Sequence, residues 1–205
     1  MKWEDLAISE FNDQLGSKNA TPGGGTASAI ALSNAASLAR MVCELTLGNE
    51  KWQTGWNHAD SVKSLSEDIL ESSYDFARFD SEAFDKVMDS FRLPKGTDEE
   101  IVNRRKSIRE ATLQAAQIPF DTACLALELL EVLPPLITDG NKNAISDVGV
   151  ASLLASAACK GALFNVEINL NSIPEEMGIE MRKQVPEIKE ECSKISRNIM
   201  DMVKA

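Results

Sequence analysis

An aspartate on the apolar face of a long predicted helix is the residue best suited to chemistry. Apolar residues recur at spacings of three, four and seven between Val62 and Phe91, which predicts a single apolar helix face. Asp80 falls on that face, four residues after Phe76. A carboxylate placed there must be paired, hydrogen-bonded or held protonated, because desolvation raises its pKa. Asp80 is therefore a candidate general acid, or a structural aspartate bonded to a helix end or an arginine.

A block of glycines provides a second candidate site. Gly23, Gly24 and Gly25 precede an alanine-rich helical segment, after Thr21 and Pro22. Glycines at a helix N-terminus leave amide N–H groups uncovered, which suits an anionic or polar ligand. The alternative is a tight turn that lets another backbone approach closely. The block is not a nucleotide-binding fingerprint, because no Gly-Lys-Ser/Thr follows it and no strand precedes it.

Polar residues flank the most apolar predicted helix. Asn141 and Asp147 lie at its start, where Ser146 caps the helix and Asp147 complements its dipole, or else the cluster forms the mouth of a pocket. Asn165 and Asn169 follow it in the β-prone segment NVEINL. If that segment is extended, both amides face one way and can bind a heterocycle edge. Hydrogen bonding within a chain turn is the alternative.

A basic cluster stands out in this acidic chain. It comprises Lys95, Arg104, Arg105, Lys106 and Arg109. Such groups are candidates for binding a carboxylate-bearing ligand. The alternative is a solvated helix face that pairs with neighbouring acidic residues.

Composition narrows the function classes. The net charge of −11 disfavours nucleic acid and anionic membranes as partners. The single histidine, His58, leaves no metal cluster and no second histidine for a hydrolytic triad, so no metal site is predicted. The four cysteines form no CxxC pair, and the N-terminus has no apolar signal region. We therefore expect reduced thiols and a cytoplasmic location.

Helical periodicity dominates the chain. It predicts an all-α, single-domain bundle over residues 1–205, in which about six helices surround a buried Ala-rich helix pair. Thr97 and Glu100 are predicted to form a capping box at the start of the fourth helix. Pro119 lies inside that helix and is predicted to kink it. The predicted helices span about 3–15, 25–47, 57–91, 97–132, 146–164 and 174–203.

Four blocks in order resemble the cyclodeaminase domain of formiminotransferase-cyclodeaminase. They are TPGGGTASAIALSNAASLARMVCELTLG, FDSEAFDKVMDSFRLPKGTDEE with the arginines after it, GNKNAISDVGVA, and NVEINL. Together they cover about residues 20–170. The family comprises formimidoyltetrahydrofolate cyclodeaminases and the related methenyltetrahydrofolate cyclohydrolases. The resemblance implies an all-helical homodimer that takes a tetrahydrofolate derivative as substrate and has no tightly bound cofactor.

The resemblance also implies a reaction. In cyclodeamination, N10 of tetrahydrofolate attacks the formimino carbon on N5, and ammonia leaves to give the 5,10-methenyl bridge. Asp80 matches the aspartate of the family's Asp-x-Glu-Ala-Phe block and is the implied proton donor. Many members carry a further aspartate two positions earlier, where this chain has Arg78. A cyclohydrolase and a non-catalytic folate-binding helical dimer are the alternatives. The implied substrate-binding residues are Gly23, Gly24, Gly25, Asn141, Asp147, Asn165 and Asn169, with Lys95 and Arg104 for the glutamate tail.

Overall fold

The computed structural model describes residues 2–205, which form seven α-helices, three short 3-10 helices and no strand. The 3-10 helices are Trp3–Asp5, Glu50–Gly55 and Lys142–Ala144. The predicted all-α class is confirmed. The α-helices are α1 (Ile8–Leu15), α2 (Gly24–Leu47), α3 (Trp56–Arg92), α4 (Asp98–Val132), α5 (Pro134–Thr138), α6 (Ile145–Asn171) and α7 (Ile179–Lys204).

Four long helices form a ring. Helix α2 packs on α3 and α6, and α4 closes the ring from the other side by packing on the same two helices. Helix α7 lies outside, against α6 and α4. The core consists largely of alanines from α2, α4 and α6 with leucines between them. A Cβ on Gly161 of α6 would lie 2.6 Å from Ser28 Oγ of α2, so the predicted small-residue helix pair packs closely.

Both helices of that pair are long and apolar enough to meet a simple length-and-composition criterion for membrane spans. Within their most apolar windows, 44% of α2 and 56% of the segment that contains α6 are buried inside the protein. Core helices of soluble proteins meet the same criterion, so it is weak evidence for a membrane. Both helices nevertheless keep exposed apolar side chains, among them Leu45 of α2 and Leu153 of α6, that the rest of the chain does not cover.

Three helix boundaries differ from the sequence-based expectation. The first predicted helix, over about residues 3–15, is divided into the 3-10 helix Trp3–Asp5 and α1, which begins at Ile8. The segment NVEINL is not extended, because α6 continues through it to Asn171 and buries Val166 and Leu170 in the core. Tertiary burial here outweighs a local β-preference. The last helix begins at Ile179 rather than near residue 174, because Gly178 adopts a left-handed conformation (φ 67°) that no helix can include.

The predicted capping box at the start of α4 is present. The Thr97 hydroxyl accepts from the backbone N–H of Glu100 at 3.2 Å, and the Glu100 carboxylate accepts from the backbone N–H of Thr97 at 3.0 Å. Two N-terminal N–H groups of α4 are thereby satisfied. This cap fixes where the connection from α3 ends and α4 begins.

Replacing Thr97 by Ala should lower the free energy of unfolding by about 1 kcal/mol, because one N-terminal amide of α4 loses its acceptor. Urea unfolding monitored by circular dichroism measures the change. Thr97→Ser keeps the hydroxyl and is the matched control, expected to stay near the wild-type value. Equal stabilities for the Ala and Ser variants would contradict the capping role.

Candidate active site

A cleft of about 250 Å³ opens where the N-terminus of α2 meets the C-terminal turns of α6. The two helices run antiparallel, which brings Gly24 next to Asn165. Helix α3 supplies one wall and α4 another. The lining residues are Ala20, Thr21, Gly23, Gly24, Gly25, Asp80, Phe84, Val87, Ala115, Asn165, Ile168 and Asn169. Six of the predicted site residues therefore share one cleft.

Asp80 projects from α3 onto the first turn of α2. Its Oδ2 accepts a hydrogen bond from the Thr26 hydroxyl at 3.0 Å. Burial raises the pKa of the Asp80 carboxyl above its usual range, and the Thr26 hydroxyl and backbone N–H oppose that rise. A carboxyl with a raised pKa retains its proton more readily, so this group has the property of a general acid.

Gly25 is required by the approach of Asp80. A Cβ built on Gly25 would lie 2.5 Å from Asp80 Cγ and 2.6 Å from Oδ2, which leaves no room for any side chain. Gly25 is buried at the second position of α2. The glycine block therefore serves a close approach, but the group that approaches is a carboxylate rather than another backbone.

Asn165 and Asn169 face the cleft from one side of α6, because residues four apart lie on the same helix face. Asn165 Nδ2 donates to the Gly161 carbonyl at 2.9 Å. Asn169 Nδ2 donates to the Ala115 carbonyl at 3.2 Å. This carbonyl lacks its usual helical donor, because Pro119 has no N–H. Carbonyls only accept, so both NH2 groups are fixed there and each Oδ1 remains as an acceptor.

The apolar stripe of α3 divides into two parts. Its first half, including Val62 and Ile69, lies in the core, as predicted. Its second half lies at the cleft and the surface, where Phe84 is 37% exposed and Phe91 is 49% exposed. Ile168 of α6 lines the same cleft and is 69% exposed. The site thus has an apolar wall that a planar ring can cover.

Two predicted residues lie far from this cleft within the chain. Asn141 Nδ2 donates to the Leu45 carbonyl at the C-terminal end of α2. At about 1.5 Å per residue, that end is about 30 Å from Gly25. Asp147 lies in the first turn of α6, about 27 Å from Asn165 by the same measure. The structure therefore separates Asn141 and Asp147 from the other predicted site residues, because α2 and α6 are antiparallel.

The predicted basic pair lies beyond the end of α3. Arg104 donates through Nε and Nη2 to the Phe91 carbonyl, at 3.2 and 2.9 Å, and its guanidinium lies 5.6 Å from the Phe91 ring centre. Lys95 is exposed in the connection between α3 and α4. Asp80 precedes Arg92, the last residue of α3, by about 18 Å of helix. Neither basic residue lines the cleft. Val87, which does line it, and Phe91, which contacts Arg104, lie along α3 between the cleft and the basic pair.

Arg78 points away from the cleft. It is two residues before Asp80, or about 200° around α3. Its Nη2 donates to Asp75 Oδ1 at 2.6 Å, and its guanidinium lies 4.8 Å from the Phe79 ring centre. The side chain at this position is therefore directed to another surface of α3.

Sequence reasoning missed Thr26, which bonds directly to Asp80. Its only signal was a hydroxyl residue one position after the glycine block, inside an alanine-rich helix. Among residues 2–205, no three His, Cys, Asp or Glu side chains lie close enough to hold a metal ion.

Comparison with known proteins identifies the family. The family model described as formiminotransferase-cyclodeaminase matches residues 7–194. The chain belongs to this family. Membership of the formiminotransferase-cyclodeaminase family places the chain among enzymes of folate one-carbon metabolism.

Individual members of the family differ in length. The methenyltetrahydrofolate cyclohydrolase of Methylorubrum extorquens is 35% identical over 199 residues, which are 97% of this chain and 96% of that protein. The formimidoyltransferase-cyclodeaminase of Mus musculus is 30% identical over 177 residues, but the match spans 84% of this chain and only 32% of the mouse protein. The crystal structure of formiminotetrahydrofolate cyclodeaminase from Thermotoga maritima superposes with a TM-score of 0.81 at 29% identity, covering 98% of this chain and 95% of that one.

Replacing Gly25 by Ala should destabilise the protein by roughly 2 kcal/mol, because the added methyl would force Asp80 out of its position. Gly24→Ala is the matched control, since its Cβ would make an ordinary 3.6 Å contact with Asn165 Nδ2. Both variants gain the same helix propensity, so their difference in urea unfolding isolates the clash. Equal free energies of unfolding for the two variants would contradict the close approach of Asp80.

Proposed function

We propose that this protein converts 5-formiminotetrahydrofolate to 5,10-methenyltetrahydrofolate and ammonia. The observation that carries this proposal is Asp80, a carboxyl with a raised pKa that bonds to the first turn of α2 inside an apolar-walled cleft. The family match and the similarity to a solved cyclodeaminase support the same assignment.

Asp80 supplies the proton that the reaction requires. When N10 attacks the formimino carbon, a tetrahedral centre forms that bears N5, N10 and an amino group. The C–N bond to the amino group breaks only if the departing nitrogen is protonated, because an amide anion is a very poor leaving group. The former imino nitrogen has taken the N10 proton to become the amino group. Protonated Asp80 donates a further proton to it, and ammonia departs with the electron pair of the C–N bond, which leaves the methenyl cation. The N-terminus of α2 then stabilises the Asp80 carboxylate.

The walls of the cleft suit the rest of the substrate. Phe84 and Ile168 offer apolar surface to the fused rings, and the Oδ1 atoms of Asn165 and Asn169 can accept hydrogen bonds from ring N–H groups. We assign the glutamate tail to the basic end of α3, near Arg104 and Lys95. The tetrahydrofolate derivative is the substrate, and the proposed step needs no tightly bound cofactor.

A second candidate activity is methenyltetrahydrofolate cyclohydrolase on the same scaffold. The similarity to the cyclohydrolase of Methylorubrum extorquens, which extends over nearly the full length of both chains, favours it. In that direction water adds to the methenyl carbon, and Asp80 in its charged form accepts the proton that the water gives up. Both activities use the same carbon and the same carboxyl.

Asp80→Asn should lower turnover at least 100-fold while folate binding is retained, because an amide keeps the hydrogen bond to Thr26 but donates no acidic proton. Asp85→Asn is the matched control, an exposed aspartate of α3 outside the cleft, with activity expected near that of the wild type. The absorbance of methenyltetrahydrofolate is followed with each substrate.

The two substrates separate the hypotheses. Formation of the methenyl chromophore from 5-formiminotetrahydrofolate supports the cyclodeaminase, and its consumption alone supports the cyclohydrolase. A wild-type protein that binds folate but changes neither compound would be the non-catalytic dimer. Full activity in Asp80→Asn would refute the role of Asp80.

We also propose a cytoplasmic homodimer whose partners are folate and a second copy of itself, not nucleic acid or a membrane. Exposed apolar side chains on the two core helices support dimerisation, since α6 exposes Val150, Leu153 and Phe164 and α2 exposes Met41 and Leu45. A two-fold axis lets the same apolar face cover itself. The four free cysteines are compatible with a reducing compartment.

Leu153→Glu should convert the dimer to monomers, because the interface would bury the new carboxylate next to the same carboxylate of the second copy. Light scattering measures the molar mass. Ile179→Glu is the matched control, since both side chains are 51% exposed but Ile179 lies at the start of α7. An unchanged dimer in Leu153→Glu, or a monomeric wild type, would refute this interface.

A further inference from the structure

A chain of three hydrogen bonds links a buried indole to Asp80. Trp3 Nε1 donates to Ser81 Oγ at 3.2 Å, Ser81 Oγ lies 3.3 Å from Thr26 Oγ1, and Thr26 Oγ1 donates to Asp80 Oδ2 at 3.0 Å. Trp3, Ser81 and Thr26 are 7%, 8% and 0% exposed. The chain joins the N-terminal 3-10 helix, α3 and α2, and it lies almost entirely away from solvent.

Only one arrangement of hydrogens satisfies this chain. An indole N–H is a donor and never an acceptor, so Ser81 Oγ must accept from Trp3. The single hydrogen of Thr26 is directed to Asp80, so Thr26 must accept from Ser81. Every hydroxyl hydrogen therefore points from Trp3 toward Asp80, and Oδ2 is always an acceptor.

We propose that Trp3 is a positioning residue for Asp80, which orients the two hydroxyls so that Oδ2 accepts and the transferable proton resides on Oδ1. This inference rests on the proposed role of Asp80 as the proton donor. Trp3 does not touch the cleft, and it acts only through Ser81 and Thr26.

Packing also holds the indole in place, independently of its hydrogen bond. Trp3 packs in a small cluster with Ala29 and Ala77, and its ring meets the Phe11 ring edge-on at 6.4 Å between centroids. Replacement by Phe therefore keeps an aromatic ring in the cluster and removes the N–H. The N–H alone is what the inference requires.

The Thr26 hydroxyl is the nearest polar side-chain group that opposes the effect of burial on Asp80. Burial raises the pKa of Asp80, the hydrogen bonds from Thr26 lower it, and no charged side chain contributes to the shift. The ionisable side chains on the elements packed around Asp80 are Glu4 in the N-terminal turn, Arg78, Glu82, Asp85 and Lys86 of α3, Arg109 and Glu110 of α4, and Glu167 of α6. The ion pairs among them are those of Arg78 with Asp75 and Glu82, Glu4 with Lys2, Glu110 with Lys106, and Glu167 with Lys189.

Trp3→Phe should raise the pKa of Asp80 further. Without the indole donor, the Ser81 hydroxyl is free to turn, and the Thr26 hydroxyl no longer needs to point at Oδ2. Donation to a carboxylate favours its charged form, so weakening that donation favours the protonated form. For a general acid, kcat falls as pH rises through the pKa, and this fall should move to higher pH in the variant.

The experiment compares Trp3→Phe and Ser81→Ala with the wild type. In the low-pH plateau, where Asp80 is protonated in every variant, each should lower kcat roughly three- to tenfold with little change in KM, because the proton is less well placed. This is the size expected for one neutral hydrogen bond. Trp56→Phe is the matched control, because the Trp56 indole donates to the Thr46 carbonyl near the other end of α2. Thr26→Ser keeps the hydroxyl and should titrate like the wild type.

Titration of the Asp80 carboxyl is read directly by ¹³C NMR, with its signal assigned by its loss in Asp80→Asn. An upward pKa shift in Trp3→Phe and Ser81→Ala, absent in Trp56→Phe, supports the inference even if the wild type proves inactive toward both folates. Unchanged titration in both variants overturns it, including the case in which they are merely less stable. If Trp3→Phe fails to fold, Ser81→Ala decides.

Discussion

The contact between the Asp80 carboxylate and the first turn of α2 constrains the whole arrangement of the site. A partly buried carboxylate costs free energy unless donors meet it, and here the Thr26 hydroxyl and the helix N-terminus provide them. The contact needs Gly25, because any Cβ would occupy the position of the carboxylate. It also fixes α3 against α2. Because α6 runs antiparallel to α2, the same end of the bundle receives Asn165 and Asn169.

Much of this could be predicted from the sequence, since helix periodicity and capping are local properties. The long helices, the Thr97 cap and the position of Asp80 on the apolar face of α3 follow from spacings of three to seven residues. The predicted end of the helix near residue 164 was wrong, because α6 continues through NVEINL, where it packs on helices that are distant in sequence. The sequence also could not show that Asn141 and Asp147 lie at the opposite end of the bundle from the glycine block. That separation depends on the antiparallel packing of α2 and α6, which order along the chain does not reveal.

Two features of the site depend on pairs that no local pattern reveals. Asn169 satisfies the Ala115 carbonyl only because Pro119, on another helix, leaves it without a donor. The hydrogen bonds from Trp3 to Ser81 and Thr26 join three segments separated by more than twenty residues each. Small hydroxyl residues occur throughout buried helices, where most of them simply bond to the carbonyl four residues earlier. Only the three-dimensional arrangement distinguishes these two from the rest.

The proposed role of Asp80 lets a single carboxyl serve two activities on folate. In the proposed cyclodeamination, Asp80 gives its proton to a departing nitrogen, and in the proposed hydrolysis it takes one from an attacking water. In both, one proton moves between the carboxyl and a nitrogen or oxygen atom bound to the same carbon, so a group whose pKa is raised above its usual range suits both. The activities then differ in the nucleophile that reaches the carbon, either N10 of the substrate or water. The polar and apolar lining around Asp80, rather than Asp80 itself, is where that choice would be made.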